Sequence, residues 1–142
     1  MSDKVLLVDD EVEFVETLAE RMRTRGLEVD TAHNGEQALQ KTAKTRYDAI
    51  VLDLAMPGMT GMEVLQKLRD ENPDRQIILL SGQGTVQTAV EATKLGALDF
   101  LEKPADIDVL LEKIKEARTR RLSAEMKRSE DEIADIMKRR GW

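Results

Sequence analysis

Apolar and polar positions follow two rhythms along this chain. Short unbroken apolar runs occur at residues 5–8, 49–52 and 77–80, within strands expected at 4–8, 49–52 and 76–80, the pattern of strands buried on both faces inside a parallel sheet. Between them the apolar positions recur at three and four. Val15, Leu18, Ala19 and Met22 form the first such set, followed by Ala38, Leu39 and Ala43, then Val64, Leu65 and Leu68. Val86, Ala89, Val90 and Thr93 form a fourth, and Ile107, Leu110, Leu111 and Ile114 a fifth. That spacing predicts amphipathic helices. Two shorter strands are expected at 27–32 and 97–101. Gly26, Asn34-Gly35, Pro57-Gly58, Asn72-Pro73 and Gly96 punctuate the pattern, each where a helix must stop or the chain must turn. Five strands alternating with five helices predict an α/β chain with a parallel sheet and right-handed crossovers.

Where the strands end changes the picture. The central run 49–52 leads into Asp53, and Pro57-Gly58 breaks the chain soon after, so Asp53 belongs at the carboxyl edge of the sheet, where open α/β sheets bind ligands. The first strand runs into Asp9, Asp10 and Glu11, the fourth into Ser81, and the fifth reaches Lys103-Pro104. Each feature alone has a bland reading, since Asp-Asp pairs usually sit in solvated loops and Lys-Pro is usually a turn. Their joint occurrence at four strand ends is specific. Three carboxylates gathered without a cation would repel and raise one another's pKa, and a hard divalent ion resolves this, magnesium suiting a site of few carboxylates plus water. A lysine beside them supplies what phosphoryl transfer needs, and a hydroxyl such as Ser81 can hydrogen-bond a phosphoryl oxygen.

Composition narrows the class. The 142 residues suit one domain with a short remainder, expected as a body at 1–117 and a helical extension or linker at 118–142. No stretch has membrane-span length and no leader is evident, so a cytoplasmic protein without membrane contact is expected. The absence of cysteine excludes disulfides and thiolate metal sites. The net charge of -6 is uneven: residues 118–142 hold eight Arg/Lys against five Asp/Glu, and residues 1–117 hold fourteen against twenty-three. An acidic body argues against nucleic-acid binding. His33 reads as a surface residue, the methionines as core filler, and Gly82-Gln83-Gly84 lacks the spacing of a phosphate-cradling loop.

Over about residues 4–117 the chain resembles the receiver domain of two-component response regulators. Five separated motifs carry the likeness: Asp9-Asp10-Glu11, Asp53 with Met56-Pro57-Gly58, Ser81-Gly82, Phe100, and Lys103-Pro104. The resemblance implies a doubly wound, flavodoxin-like, five-stranded parallel sheet in the order 2-1-3-4-5. It implies Asp53 as the phosphoacceptor for a sensor histidine kinase, a phosphotransfer protein or a small phosphodonor. Asp10 would ligate Mg2+ directly and Asp9 through water, with Asp53 and the Ala55 backbone carbonyl as further ligands. Lys103 would pair with the phosphoryl group across a cis bond to Pro104, and Ser81 with Phe100 would form the switch pair. Ala55 and Gln83 would flank the path of the hydrolytic water. The stretch 81–104 looks most like receivers of the nitrogen-regulation class, which usually precede ATPase and DNA-binding domains; no such domain is expected within these 142 residues.

Two other functions compete. An aspartate-nucleophile phosphatase carries a second Asp two residues after its nucleophile as acid/base, and this chain has Ala55 there. A degenerate receiver acting only as a scaffold would not keep the full acidic, hydroxyl and lysine set. A switch without turnover of a separate substrate is the expectation. Beyond Ala117 the helical pattern continues through Leu122, Met126, Ile133, Ile136 and Met137. The stripe opened by Leu111 and Ile114 breaks near Arg118 and resumes at Met126, Ser129, Ile133 and Ile136 after a four-residue slip. A helix extending well past Ala117 and joining two copies is expected, the alternative being a solvated linker.

Overall fold

The computed structural model describes residues 3–82 and 85–141. Among them, five strands alternate with five helices: β1 (Lys4–Val8), α1 (Val12–Thr24), β2 (Glu28–Ala32), α2 (Gly35–Lys44), β3 (Ala49–Asp53), α3 (Gly61–Glu71), β4 (Ile77–Ser81), α4 (Val86–Lys94), β5 (Asp99–Glu102) and α5 (Ile107–Arg139). All strand pairs are parallel, in the order β2-β1-β3-β4-β5. The expected doubly wound sheet is therefore present. None of these helices is long and apolar enough to cross a membrane.

The unbroken apolar runs are explained by the two faces of the sheet. Val5, Leu7, Ala49, Val51, Ile78 and Leu80 point to the layer covered by α1 and α5, packing on Val15, Leu18, Met22, Leu110 and Ile114. Their alternates Leu6, Val8, Ile50, Leu52, Ile77 and Leu79 point to the opposite layer, with Ala38, Val64, Leu65, Leu68 and Ala92. With both faces covered, no position of a central strand can be polar until the strand emerges at its end.

Three strands start later than the periodicity predicts: β4 by one residue, at Ile77, and β2 and β5 for one shared reason. The Leu27 amide donates to Met22 O and the Ala97 amide to Ala92 O, so both residues still close the preceding helix. Gly26 and Gly96 supply the positive φ of +91° and +97° that this closure requires. β2 therefore begins at Glu28 and β5 at Asp99.

The fifth helix runs unbroken for 33 residues, about 50 Å. Its first turns bury Ile107, Leu110, Ile114 and Ala117 in the core. Past Ala117 it stays on the body through ion pairs at the amino-terminal edge of the sheet. Arg121 pairs with Asp48, whose other oxygen accepts from the Lys4 amide at 2.8 Å, and Arg128 reaches Asp74 at 2.8 Å. The side chains of Arg121 and Asp48 are 14% and 11% exposed, dry enough that removing one partner strands the other. Arg121→Met should lower stability by about 2 kcal/mol in urea denaturation, somewhat below the range for fully buried pairs. It should also speed hydrogen exchange in the segment 120–130. Unchanged exchange there would mean that the ion pair does not hold the helix down.

Candidate functional site

The sheet delivers its polar residues to one edge. Asp9 follows β1 directly, Asp53 and Ser81 are the last residues of β3 and β4, and Lys103 follows β5. Register fixes their heights: Asp53 lies beside Leu80, and Ser81 beside Glu102. The Asp9 amide extends the pairing to Ala32 O at 3.0 Å, and the Lys103 amide donates to Ser81 O at 2.9 Å. The functional side chains thus project from backbone still held by the sheet, which limits their play.

Asp9, Asp10 and Asp53 bring carboxylate oxygens within 4.8 Å of one another. Asp9 and Asp53 are buried, whereas Asp10 is exposed at the rim. Among the described residues, one cation faces them. Lys103 Nζ lies 2.6 Å from Asp9 Oδ2, 3.3 Å from Glu11 Oε1 and 3.7 Å from Asp53 Oδ1. The ammonium also sits 4.4 Å from the centroid of the Phe14 ring. Asp9 is held in turn, its Oδ1 accepting from the Glu11 amide at 2.9 Å.

The electrostatics follow from this crowding. Burial, then the charge of Asp9, pushes the Asp53 carboxyl from 3.8 up to about 6, while Lys103 and a backbone hydrogen bond from Ala55 oppose the rise and Asp10 adds to it. Burial alone would lower the Lys103 ammonium, but its hydrogen bond to Asp9 and the charges of Asp9 and Asp53 outweigh that and hold its pKa above the ordinary value. Among the described residues, three hard oxygen donors facing the one ammonium of Lys103 leave the site short of positive charge. That donor set fits a divalent cation.

Ser81 is buried, and Phe100 is half-buried beside Leu79 in the sheet register. Leu79 and Ser81 point to the same face, so Ser81 and Phe100 are diagonal neighbours on the α4 side of the sheet. The Lys103-Pro104 peptide is cis. Ala55 is exposed in the loop after β3, and Gln83, expected near the water path, lies outside the described residues. His33 is half-buried with Nε2 3.9 Å from Glu16, so it is more covered than expected of a surface residue.

Two residues at the site escape sequence reading. Phe14 lies off the main apolar stripe of α1, and its contact with Lys103 crosses 89 positions of sequence. Gly61 opens α3 directly against the Asp53-Leu54 backbone. Its only sequence signal is a glycine just after Thr60, the cap whose Oγ1 accepts from the Glu63 amide.

A doubly wound sheet with an acidic cluster, a hydroxyl and a lysine at its carboxyl edge defines a class of phosphate-handling α/β switches. The chain matches the family described as "Response regulator receiver domain" over residues 5–115. It is 42% identical over 108 residues to the acid tolerance regulatory protein ActR of Rhizobium meliloti, covering 75% of this chain and 55% of that protein. The C4-dicarboxylate transport transcriptional regulatory protein DctD of Pseudomonas aeruginosa is 38% identical over 123 residues, covering 86% and 27%. Among solved structures, the receiver domain of the Francisella response regulator 1452 superposes with a TM-score of 0.78 at 30% identity, covering 84% of this chain and 98% of that one. The chain belongs to the response-regulator receiver family. It spans about half the length of ActR and about a quarter of DctD.

Proposed function

We propose that Asp53 is the phosphoacceptor of this receiver, with the phosphoryl group supplied by a sensor histidine kinase, a phosphotransfer protein or a small phosphodonor. The observation that carries this reading is the convergence of Asp9, Asp10, Asp53 and Lys103 within a few ångströms at one sheet edge. An Asp53 carboxylate oxygen attacks phosphorus, the new O–P bond forms as the donor's bond to phosphorus breaks, and the leaving group departs with that electron pair. Lys103, already 3.7 Å from Asp53 Oδ1, pairs with an oxygen of the incoming group. Ser81 donates its hydroxyl to another phosphoryl oxygen, and Phe100, its diagonal neighbour, turns into the space that Ser81 leaves. Asp9, Asp10, Asp53 and the Ala55 carbonyl are the groups assigned to Mg2+, which when bound offsets negative charge on the transferring oxygens. The chain is a switch on this reading, catalysing its own phosphorylation without turning over a separate substrate. A crystal structure of a Burkholderia pseudomallei response regulator with a phosphorylated aspartic acid and a calcium ion, at 27% identity and a TM-score of 0.76, supports it. Intact mass after incubation with Mg2+ and acetyl phosphate tests it. One stable added phosphoryl group is expected, and release of phosphate over many turnovers with no adduct would favour a phosphatase instead.

We further propose that residues 1–117 form the receiver unit and that the extension pairs two copies. After Ala117 the helix presents two rows. Arg121 and Arg128 face their own body, while Leu122, Met126, Ile133, Ile136 and Met137 are exposed. An apolar row along one helix face buries itself best against its own copy. Light scattering on the parent and on Met126→Glu/Ile133→Glu, each with and without beryllofluoride, checks this. The parent should self-associate more strongly with beryllofluoride, and the double variant should remain monomeric. A monomeric parent under both conditions removes the dimer.

A further inference from the structure

Among the described residues, the Lys103 ammonium meets three charged groups and one uncharged ring. Asp9, Glu11 and Asp53 contribute carboxylates, and the fourth wall is the face of Phe14 with its centroid 4.4 Å from Nζ. The lysine side chain is 11% exposed, so this contact between a cation and a ring is largely dry, where such contacts are strongest. The ring itself is anchored, packing from α1 against the core layer of Leu18 and Leu80. On its outer side lies a groove of about 340 Å³ bounded by Thr17, Arg21, Pro104 and Ala105, and on its inner side a small void shared with Asp9 and Asp53. Phe14 therefore lines both the groove beside Pro104 and the void beside Asp53.

We propose that Phe14 is a positioning residue for Lys103, holding the ammonium beside Asp53 independently of the charge on the acidic cluster. This rests on the assignment of Lys103 to the phosphoryl group. The three carboxylates are poor fixed anchors during phosphorylation. Asp9 is the shortest contact, yet it is also assigned to the cation; once its charge is engaged there, its hold on the lysine weakens. Asp53 changes chemically as it is phosphorylated, and Glu11 is exposed at the rim. The ring keeps its quadrupole throughout, negative on the face that meets Nζ. It leaves Lys103 with one constant contact, from which about 1 Å of movement brings Nζ into bonding range of the acceptor oxygen.

The test uses the full chain in which Phe14 is replaced by mono-, di- and trifluorinated phenylalanine. These rings keep nearly the same shape while losing electron density from their faces. Phosphorylation by acetyl phosphate at saturating Mg2+, followed by intact mass, should slow at each step, and Phe14→Leu should be about fivefold slower than the parent. Phe14→Trp should keep the parent rate. In a Lys103→Ala background the same series should be flat, an outcome that loss of packing alone would not produce. In the metal-free protein, the Lys103 side-chain resonances should carry a ring-current shift that disappears in Phe14→Leu. A labelled parent with a flat fluorination series overturns the role of Phe14 and leaves the phosphoacceptor site standing. A parent that takes up no phosphoryl group overturns the site assignment, and the role of Phe14 with it.

Discussion

Asp53→Asn should take up no phosphoryl group and, in the metal-free protein at pH 8, should unfold at a higher urea concentration than the parent. The first result follows from chemistry, because a neutral amide oxygen of similar size is too weak a nucleophile for phosphorus. The second follows from the surroundings of Asp53. Burial and the neighbouring Asp9 raise the Asp53 carboxyl from 3.8 to about 6, so between these values the native state holds a proton that the unfolded chain has released. Stability must then fall as pH rises through that window, with the full cost present above pH 6 and none below 3.8. A shift of that size corresponds to ~3 kcal/mol. The amide carries no charge to desolvate, so the gain of Asp53→Asn should be large at pH 8 and vanish near pH 4. Chelator is needed in both samples, because a bound cation stabilises the carboxylate and narrows the difference. Equal stabilities of parent and variant across this range would show that the acidic cluster stores no repulsion, and labelling of Asp53→Asn at the same position would remove the acceptor assignment.

The same residues explain how much of the site was legible in the sequence. Asp9, Asp53 and Ser81 could be read because each follows an apolar run that has no reason to end in a polar group, and Lys103 because it stands with Pro104 where the fifth strand stops; parallel topology then puts all four on one edge. The sheet faces were legible for a related reason, since strands covered on both sides permit no polar interruption. What the pattern could not carry are contacts made by polar or aromatic groups across long sequence distances. The row of α5 that meets the body includes Arg121 and Arg128, polar because it faces Asp48 and Asp74 at the starts of strands. A reading that follows only apolar positions sees the stripe break near Arg118, although the helix there is still attached. The late starts of β2 and β5 were hidden because Leu27 and Ala97 are apolar like strand residues while their amides close helices.

Gly61 was the least legible residue at the site, and its replacement should have the largest effect on stability. A Cβ built there would lie 2.3 Å from the Asp53 carbonyl oxygen and 2.6 Å from Leu54 Cα. Both are backbone atoms, and Asp53 is pinned in the sheet by its neighbours in β3 and β4. The Gly61 amide meanwhile donates to Leu54 O at 2.9 Å, so α3 cannot draw away without losing that bond. Helix propensity points the other way, favouring alanine over glycine inside a helix by about 1 kcal/mol. Overlap with fixed backbone should outweigh it, giving a net loss for Gly61→Ala of about 3 kcal/mol or more. Because one displaced atom belongs to Asp53, the proposed acceptor, and the other to the residue after it, phosphorylation should slow as well, even in the fraction that remains folded. Gly35→Ala provides the contrast. Its Cβ would meet Val64 Cγ2 at 2.8 Å, the Met59 sulfur at 3.0 Å and Met59 Cβ at 3.1 Å, side-chain rather than backbone atoms and none of them part of Asp53, so a smaller loss of about 1–2 kcal/mol is expected with the phosphorylation rate retained. Urea denaturation of both variants, with intact-mass labelling of each, decides between the two kinds of contact. A Gly61→Ala chain no less stable than Gly35→Ala would mean that the backbone after β3 yields easily, and that the acceptor is not held by the entry of α3.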